Sequence, residues 1–171
     1  MSAYYLAVDI GASSGRHILG SVENGKIVLE EIYRFENGMT KKDGRLCWDY
    51  KGLFENIKNG IKKCKEIGKI PISMGIDTWG VDFGLLDESG RLIENPVCYR
   101  DERTRGILDV LSETIPMPEL FAQTGNTPDE INTLMQLAAL KNQRPEVLER
   151  AHRLLFMPDL IGYFLTGKQA C

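Results

Sequence analysis

Residues 4–16, YYLAVDIGASSGR, are the stretch on which the reading of this chain turns. Tyr5, Leu6, Ala7, Val8 and Ile10 form an apolar run of strand length that closes on Asp9 and Gly11, and a loop of small residues follows. A carboxylate therefore stands at a strand end beside a loop without bulk. Gly11, Ala12, Ser13, Ser14 and Gly15 leave backbone N–H groups unshielded, the serines add hydroxyl donors, and the glycines can adopt φ > 0. Such a loop can wrap a phosphate. Asp9 repels an anion in direct contact, so its fitting role is to hold a hydrated Mg²⁺ that bridges to phosphate oxygens. Ordinary hairpin loops use the same residues, with Asp or Ser satisfying nearby backbone groups, and Arg16 can equally reach a phosphate or form an ion pair. No Gly-Lys-Ser/Thr follows, which excludes the P-loop pattern. Arg16, His17, Ile18, Leu19 and Val22 read as a second strand rather than a helix, which excludes the dinucleotide fingerprint.

Downstream, Asn24-Gly25 lies between HILGSVE and KIVLEEIYRF, a strong signal for a two-residue hairpin, so strands one to three are consecutive and antiparallel. Asp49 is a candidate N-cap. Tyr50, Leu53, Phe54, Ile57, Ile61 and Cys64 recur at helical spacing until Gly68 and Pro71 end the segment. A strand with Ile72, Met74 and Ile76 on one face comes next, and then residues 81–87 and 91–93 flank a Glu88-Ser89-Gly90 turn. From Thr104 the pattern turns helical, over residues 105–113, 118–123, 132–141 and 145–150. A short apolar run at 154–157 and a helix at 159–166, stopped by Gly167, complete the pattern.

Composition bounds the answer. A chain of 171 residues, 43% apolar and 26% charged, is long enough for one domain with a sizeable core. A net charge of −3 gives no global attraction for nucleic acid or anionic membrane, and no apolar stretch approaches membrane-spanning length. The N-terminus has no basic region before its apolar run, so a core strand is expected there and not a signal peptide. Cys47, Cys64, Cys98 and Cys171 are scattered, with no Cys-x-x-Cys pair, and are expected to be reduced thiols of a cytoplasmic protein.

DIGASSGR, followed by a strand, an Asn-Gly turn and a strand, resembles the first phosphate motif of the sugar kinases related to actin and Hsp70, in the FGGY family of carbohydrate kinases. GIDTWGVDFGLLD at 75–87 and PVCYRDERT at 96–104 resemble the rhamnulokinase branch of that family. The resemblance runs from about residue 5 to residue 168, nearly the whole chain. It implies an α/β, ribonuclease-H-like fold: a mixed sheet that starts with three antiparallel strands, then a helix and another strand, plus a helical segment. It implies ATP and Mg²⁺ as cofactors, with the phosphates on Ala12, Ser13, Ser14, Gly15 and Arg16 and the metal held by Asp9 through water. The ketose is then expected against Trp79, Gly80 and Asp82, with Tyr99, Asp101 and Arg103 near its hydroxyls. The implied reaction is phosphorylation of L-rhamnulose to L-rhamnulose 1-phosphate. The Lys and Trp of the usual family signature are absent at residues 136–140, which fits the rhamnulokinase branch. The family's catalytic base and adenine-holding domain are expected beyond residue 171. Residues 1–171 are therefore read as an incomplete N-terminal domain whose partner is the C-terminal domain of the same protein.

Residue chemistry alone leaves other roles open. Asp77 can cap a turn, Asp82 can be solvated, Asp101 can cap the following helix and Trp79 can be a half-buried core residue. Two other function classes share the pattern. A ribonuclease-H-like nuclease would use Asp9, Asp77 and Asp82 as a two-metal set and would need a basic groove, which the acidic balance argues against. A non-catalytic sugar-binding module would bind sugar without turning over ATP.

Overall fold

A computed structural model describes residues 3–169. In chain order the elements are β1 (Tyr4–Ile10), β2 (Ser14–Glu23), β3 (Lys26–Glu36), β4 (Met39–Lys42), β5 (Arg45–Trp48), α1 (Tyr50–Glu66), β6 (Pro71–Thr78) and β7 (Phe83–Leu86). There follow α2 (Ile107–Ser112), α3 (Met117–Thr124), α4 (Thr133–Gln143), α5 (Pro145–Arg150), β8 (Arg153–Phe156) and α6 (Met157–Thr166). They group into two compact units. One comprises Met1–Met39, Asp49–Gly80 and Pro158–Cys171, the other Thr40–Trp48 and Val81–Met157.

The first unit is built on a four-stranded mixed sheet in the order β3-β2-β1-β6. The first three strands are antiparallel neighbours, as expected, and β6 returns parallel to β1 after α1. Asn24 and Gly25 both take positive φ, 51° and 75°, the two left-handed residues a tight hairpin turn with native twist requires. Leu6, Val8 and Ile10 alternate into the core, and Leu53, Ile57 and Cys64 of α1 are buried. Helix α1 starts where Asp49 accepts a bond from Gly52 N at 3.1 Å and ends at Gly68, φ 71°. Phe164 of α6 lies 6.2 Å from Tyr50 and 6.1 Å from Phe54, ring centre to ring centre.

Two glycines of this unit are there for close approach. A Cβ on Gly60 of α1 would overlap the ring of His17, which is fully buried and whose Nε2 lies 3.1 Å from the Ile57 carbonyl oxygen. A Cβ on Gly15 would overlap the ring of Phe35, its partner on β3. Gly11 and Gly15 are able to adopt positive φ, but the turn does not require it of them: neither has positive φ. Strand β6 carries Met74 and Ile76 opposite Leu6 and Val8, yet Ile72 and Met74 are 69% and 38% exposed, because β6 is an edge strand.

The second unit contains a hairpin that the sequence reading did not anticipate. Strands β4 and β5 pair across Asp43-Gly44, both at positive φ. The Asp-Gly pair was the available signal, but strands of four residues flanked by Lys and Arg lack the alternation that marks a half-buried strand. Strand β7 pairs antiparallel with β8, so the apolar run at 154–157 becomes mostly strand, with Met157 opening α6. Residues 91–93 contribute a bridge from Leu92 to Leu86 and backbone bonds from Asp87 N to Arg91 O and from Ile93 N to Leu85 O, not a strand. Here the Asp87 carboxylate accepts from Ser89 Oγ and Arg91 N and closes the turn tightly. The helix expected at 105–113 is shorter: a 3₁₀ turn at Glu102–Thr104 precedes it, Gly106 takes φ 75°, and α2 begins only after that glycine. Phe83, Leu85, Leu140 and Val147 form one core cluster and Ile107, Leu120, Met135 and Ala139 another. Cys47, Cys64 and Cys98 are buried, and burial pushes the Cys98 thiol up to about 11; Cys171 lies outside the described residues.

Burial pushes the His17 pKa down, so the folded chain keeps the imidazole neutral where the unfolded chain takes up a proton below about pH 6.5. Stability should therefore fall as pH drops from 7 to 5, and His17→Leu should flatten that slope in urea titrations at the two pH values. Gly15→Ala should cost about 1–3 kcal/mol through its clash with Phe35. Gly80→Ala, where a Cβ would meet nothing within 4 Å, should stay within about 0.5 kcal/mol by the same measurement.

Candidate active site

The phosphate loop expected over Ala12 to Arg16 is shorter in the structure. Ser14, Gly15 and Arg16 already belong to β2, opposite Glu36, Phe35 and Arg34, because the β2–β3 ladder extends to the last residues of both strands. What stays outside the sheet is Gly11, Ala12 and Ser13. This turn is pinned by a bond from Gly11 N to Ser14 O at 2.8 Å. Asn37, just past β3, holds it from the other side: its Nδ2 donates to Gly11 O at 2.8 Å and its backbone N to Ser13 O at 2.9 Å. Sequence reasoning missed Asn37, since a side chain 26 residues away reaches the loop only once β2 and β3 are paired. The amides of Ala12 and Ser13 and the hydroxyls of Ser13 and Ser14 have no partner among the described residues. That is a set of outward donors on a fixed backbone, suited to an anion.

Asp9 and Arg16 face each other directly in the β1–β2 register, and Arg16 donates from Nε and Nη2 to Asp9 Oδ2, both at 2.7 Å. Of the two roles open to Arg16, the ion pair is the one present here. Its side chains are 45% and 40% exposed, so in water the pair contributes only about 0.2–1 kcal/mol. Asp77 is the register partner of Asp9 on β6, which sets two carboxylates side by side on one face at the ends of adjacent strands. Asp9 Oδ1 has no partner among the described residues. One or two carboxylate oxygens without an all-protein cage is a donor set that fits Mg²⁺, which keeps most of its own waters. Trp79 and Gly80 follow directly on β6; Trp79 is half-buried and Gly80 exposed.

Asp82 departs from expectation. It is neither solvated nor at a pocket surface but 0% exposed. Its Oδ2 accepts from Trp48 Nε1 at 2.6 Å and from Tyr99 N at 3.1 Å, and its Oδ1 accepts from Gln136 Nε2 at 2.9 Å. Three of its roughly four acceptor positions are taken by donors of the protein itself, and the side chain is closed off from solvent. Burial pushes its pKa up, and the three donors and the Arg103 charge oppose that. Arg103 is also buried, 8% exposed, with Nη2 on Gln136 Oε1 at 2.6 Å; burial lowers its pKa against the pull of Asp101 and Asp82. Asp101 accepts from Leu46 N at 2.7 Å and from Arg103 N at 3.0 Å, and thus caps the 3₁₀ turn as its residue type allowed. Asp82, Asp101 and Arg103 therefore hold the 99–105 segment in place. Trp48 and Gln136, which tie it to β5 and α4, had no motif to announce them.

The same segment does open onto a pocket of about 220 Å³, lined among others by Tyr99, Arg100, Glu102, Arg105, Asp129 and Glu130. Glu130 Oε1 accepts from Gly106 N at 2.6 Å and Arg105 Nη2 donates to Glu102 Oε1 at 3.0 Å. Guanidiniums, carboxylates and one aromatic ring in so small a space offer both donors and acceptors, which suits a neutral polyhydroxylated ligand more than an anion. Among the described residues no three His, Cys, Asp or Glu side chains converge, and with Asp82 buried the two-metal nuclease set of Asp9, Asp77 and Asp82 is not formed.

Known proteins resemble the chain in sequence and in fold. The chain is 50% identical over 167 residues to a protein named rhamnulokinase from Halalkalibacterium halodurans, covering 98% of this chain and 36% of the relative. It is 45% identical over 164 residues to a rhamnulokinase from Oceanobacillus iheyensis, covering 96% and 35%. The chain thus spans about a third of the length of these curated relatives. Among solved structures, gluconate kinase from Lactobacillus acidophilus superposes with a TM-score of 0.84 at 19% identity over 99% of this chain and 34% of that one. Xylulose kinase from the same organism gives 0.83 at 20% identity, over 98% and 34%. The fold is therefore that of the sugar kinases related to actin and Hsp70. The FGGY family of carbohydrate kinases, N-terminal domain, matches residues 4–171, and the chain belongs to that family.

Proposed function

We propose that the protein carrying this chain transfers the γ-phosphoryl group of ATP to a ketose, L-rhamnulose in the first instance, giving L-rhamnulose 1-phosphate. The observation that carries this reading is the relationship to rhamnulokinases along nearly the whole chain, at 45–50% identity, together with a donor-lined turn beside Asp9. The Ala12 and Ser13 amides and the Ser13 and Ser14 hydroxyls bind ATP phosphate oxygens, Gly15 keeps the strand start slim, and Arg16 leaves Asp9 for the phosphates. Asp9, with Asp77 beside it, holds hydrated Mg²⁺, which neutralises charge on the phosphates when bound. Trp79 and Gly80 border the ketose, and Tyr99 and Asp101, which line the pocket, receive its hydroxyls, with Arg103 acting from behind as a support.

The base that takes the sugar hydroxyl proton and the adenine site belong, in this proposal, to a C-terminal domain of the same protein. Phosphoryl transfer needs both reactants held in line, and the residues of this chain supply the phosphate turn and the sugar wall only. The exposed apolar residues of the sheet, Val22, Ile27 and Leu29 with Tyr5 beside them, are read as surface that such a continuation covers. No helix among the described residues is long and apolar enough to cross a membrane, and a cytoplasmic location is proposed.

A coupled ADP-release assay on the chain joined to its C-terminal domain should show turnover with L-rhamnulose and little with glycerol, gluconate or xylulose; the reverse preference would refute the substrate assignment. Asp9→Asn in that protein should lower kcat by about 100-fold or more with a small change in the sugar KM. The 171-residue chain alone should release no ADP above background.

A further inference from the structure

We propose that Asp82 and Gln136 are positioning residues: a buried polarity relay that fixes both ends of the Tyr99–Arg103 segment and with it one wall of the 220 Å³ pocket. The relay follows from which groups can only accept and which can only donate. An ionised carboxylate accepts only, and a guanidinium donates only. Between them stands the Gln136 amide, which can occupy its site in two orientations related by a flip. Every neighbour selects the same one. Its Nε2 meets Asp82 Oδ1 at 2.9 Å, Ile131 O at 2.9 Å and Val81 O at 3.2 Å, all acceptors, and its Oε1 meets only the Arg103 guanidinium at 2.6 Å.

The segment hangs on this pair at both ends. Tyr99 N donates to Asp82 Oδ2, and Arg103 donates to Gln136 Oε1, while Gln143 Nε2 donates to Arg103 O at 2.8 Å. Between those anchors lie Arg100 and Glu102, which with Tyr99 line the pocket. Trp48 Nε1, at 2.6 Å, occupies the remaining side of Asp82 and keeps the carboxylate from rotating. A change of polarity at Asp82 therefore displaces three pocket residues at once, although Asp82 and Gln136 are 0% and 1% exposed and reach no ligand. Taking that ligand to be a ketose rests on the function proposed above; the relay itself does not.

Two variants separate positioning from mere support. In Asp82→Asn a second amide NH₂ faces that of Gln136, and the flip that relieves this turns the Gln136 donors onto Arg103. In Asp82→Asn/Gln136→Glu the carboxylate introduced on α4 accepts both from the amide now at position 82 and from Arg103, which restores the relay, while Val81 O and Ile131 O lose their donor. Calorimetric titration of the chain joined to its C-terminal domain with L-rhamnulose should show at least about tenfold weaker binding in Asp82→Asn. The double variant should recover to within about threefold of the parent although its melting temperature stays low. Affinity that simply follows melting temperature across the set would overturn the proposal. A parallel ¹⁵N spectrum makes the test independent of the sugar: the Tyr99 amide and Arg103 Nε–H resonances should shift in Asp82→Asn and return in the double variant. Should the parent bind no ketose, the function proposed above fails and these resonances alone decide the relay; unmoved, they overturn it.

Discussion

The register of β1 is the constraint on which the first unit depends. Side chains alternate with period two along a strand, so a slip of one residue would turn Leu6, Val8 and Ile10 out to water and Asp9 into the core. With that register set, β2 brings Arg16 opposite Asp9 and β6 brings Asp77 beside it. Charge at the strand ends and apolar packing along the strands are thus consequences of one pairing. The donor turn then follows geometrically, as the connection between β1 and β2, with Asn37 tying it to the far end of β3.

The second unit solves a different problem. It buries a carboxylate and a guanidinium, each of which would be costly alone in a low-dielectric interior. Both are admitted because their partners match them in polarity: Trp48, Tyr99 N and Gln136 donate to Asp82, and Gln136 accepts from Arg103. Replacing this set by apolar residues would cost little packing, but it would release the 99–105 segment from a defined position. A pocket lined by side chains of both charges needs such definition, since hydroxyl recognition depends on where each donor and acceptor stands.

Several departures from expectation share a cause. Strands β4 and β5 are short, with their charged and polar residues clustered around the turn, and are held by backbone pairing and by Asp101 on Leu46 N, a partner 55 residues away. Ser14 and Gly15 read as loop from their small side chains, yet they belong to a ladder whose other strand supplies Phe35. In each case local composition argued for a loop and a distant pairing overruled it.

What the sequence by itself determined was whatever depends on neighbours along the chain. That includes the Asn24-Gly25 hairpin, the α1 cap at Asp49 and its end at Gly68, the order of three antiparallel strands, a helix and a further strand, and the family, carried by contiguous motifs around Asp9, Trp79 and Tyr99. Only the tertiary structure decided what each charged residue does. Asp82 and Arg103 sit in motifs that look like ligand contacts, and the fold turns them inward, because Trp48 and Gln136 reach them from 34 and 33 residues away, while Asp101 lines the pocket and also accepts from Leu46 N, 55 residues away. The same holds for Arg16, whose choice between a phosphate and Asp9 depends on a cross-strand register. Whether a polar side chain faces solvent or a buried partner is settled by contacts distant in sequence, and no local pattern encodes them.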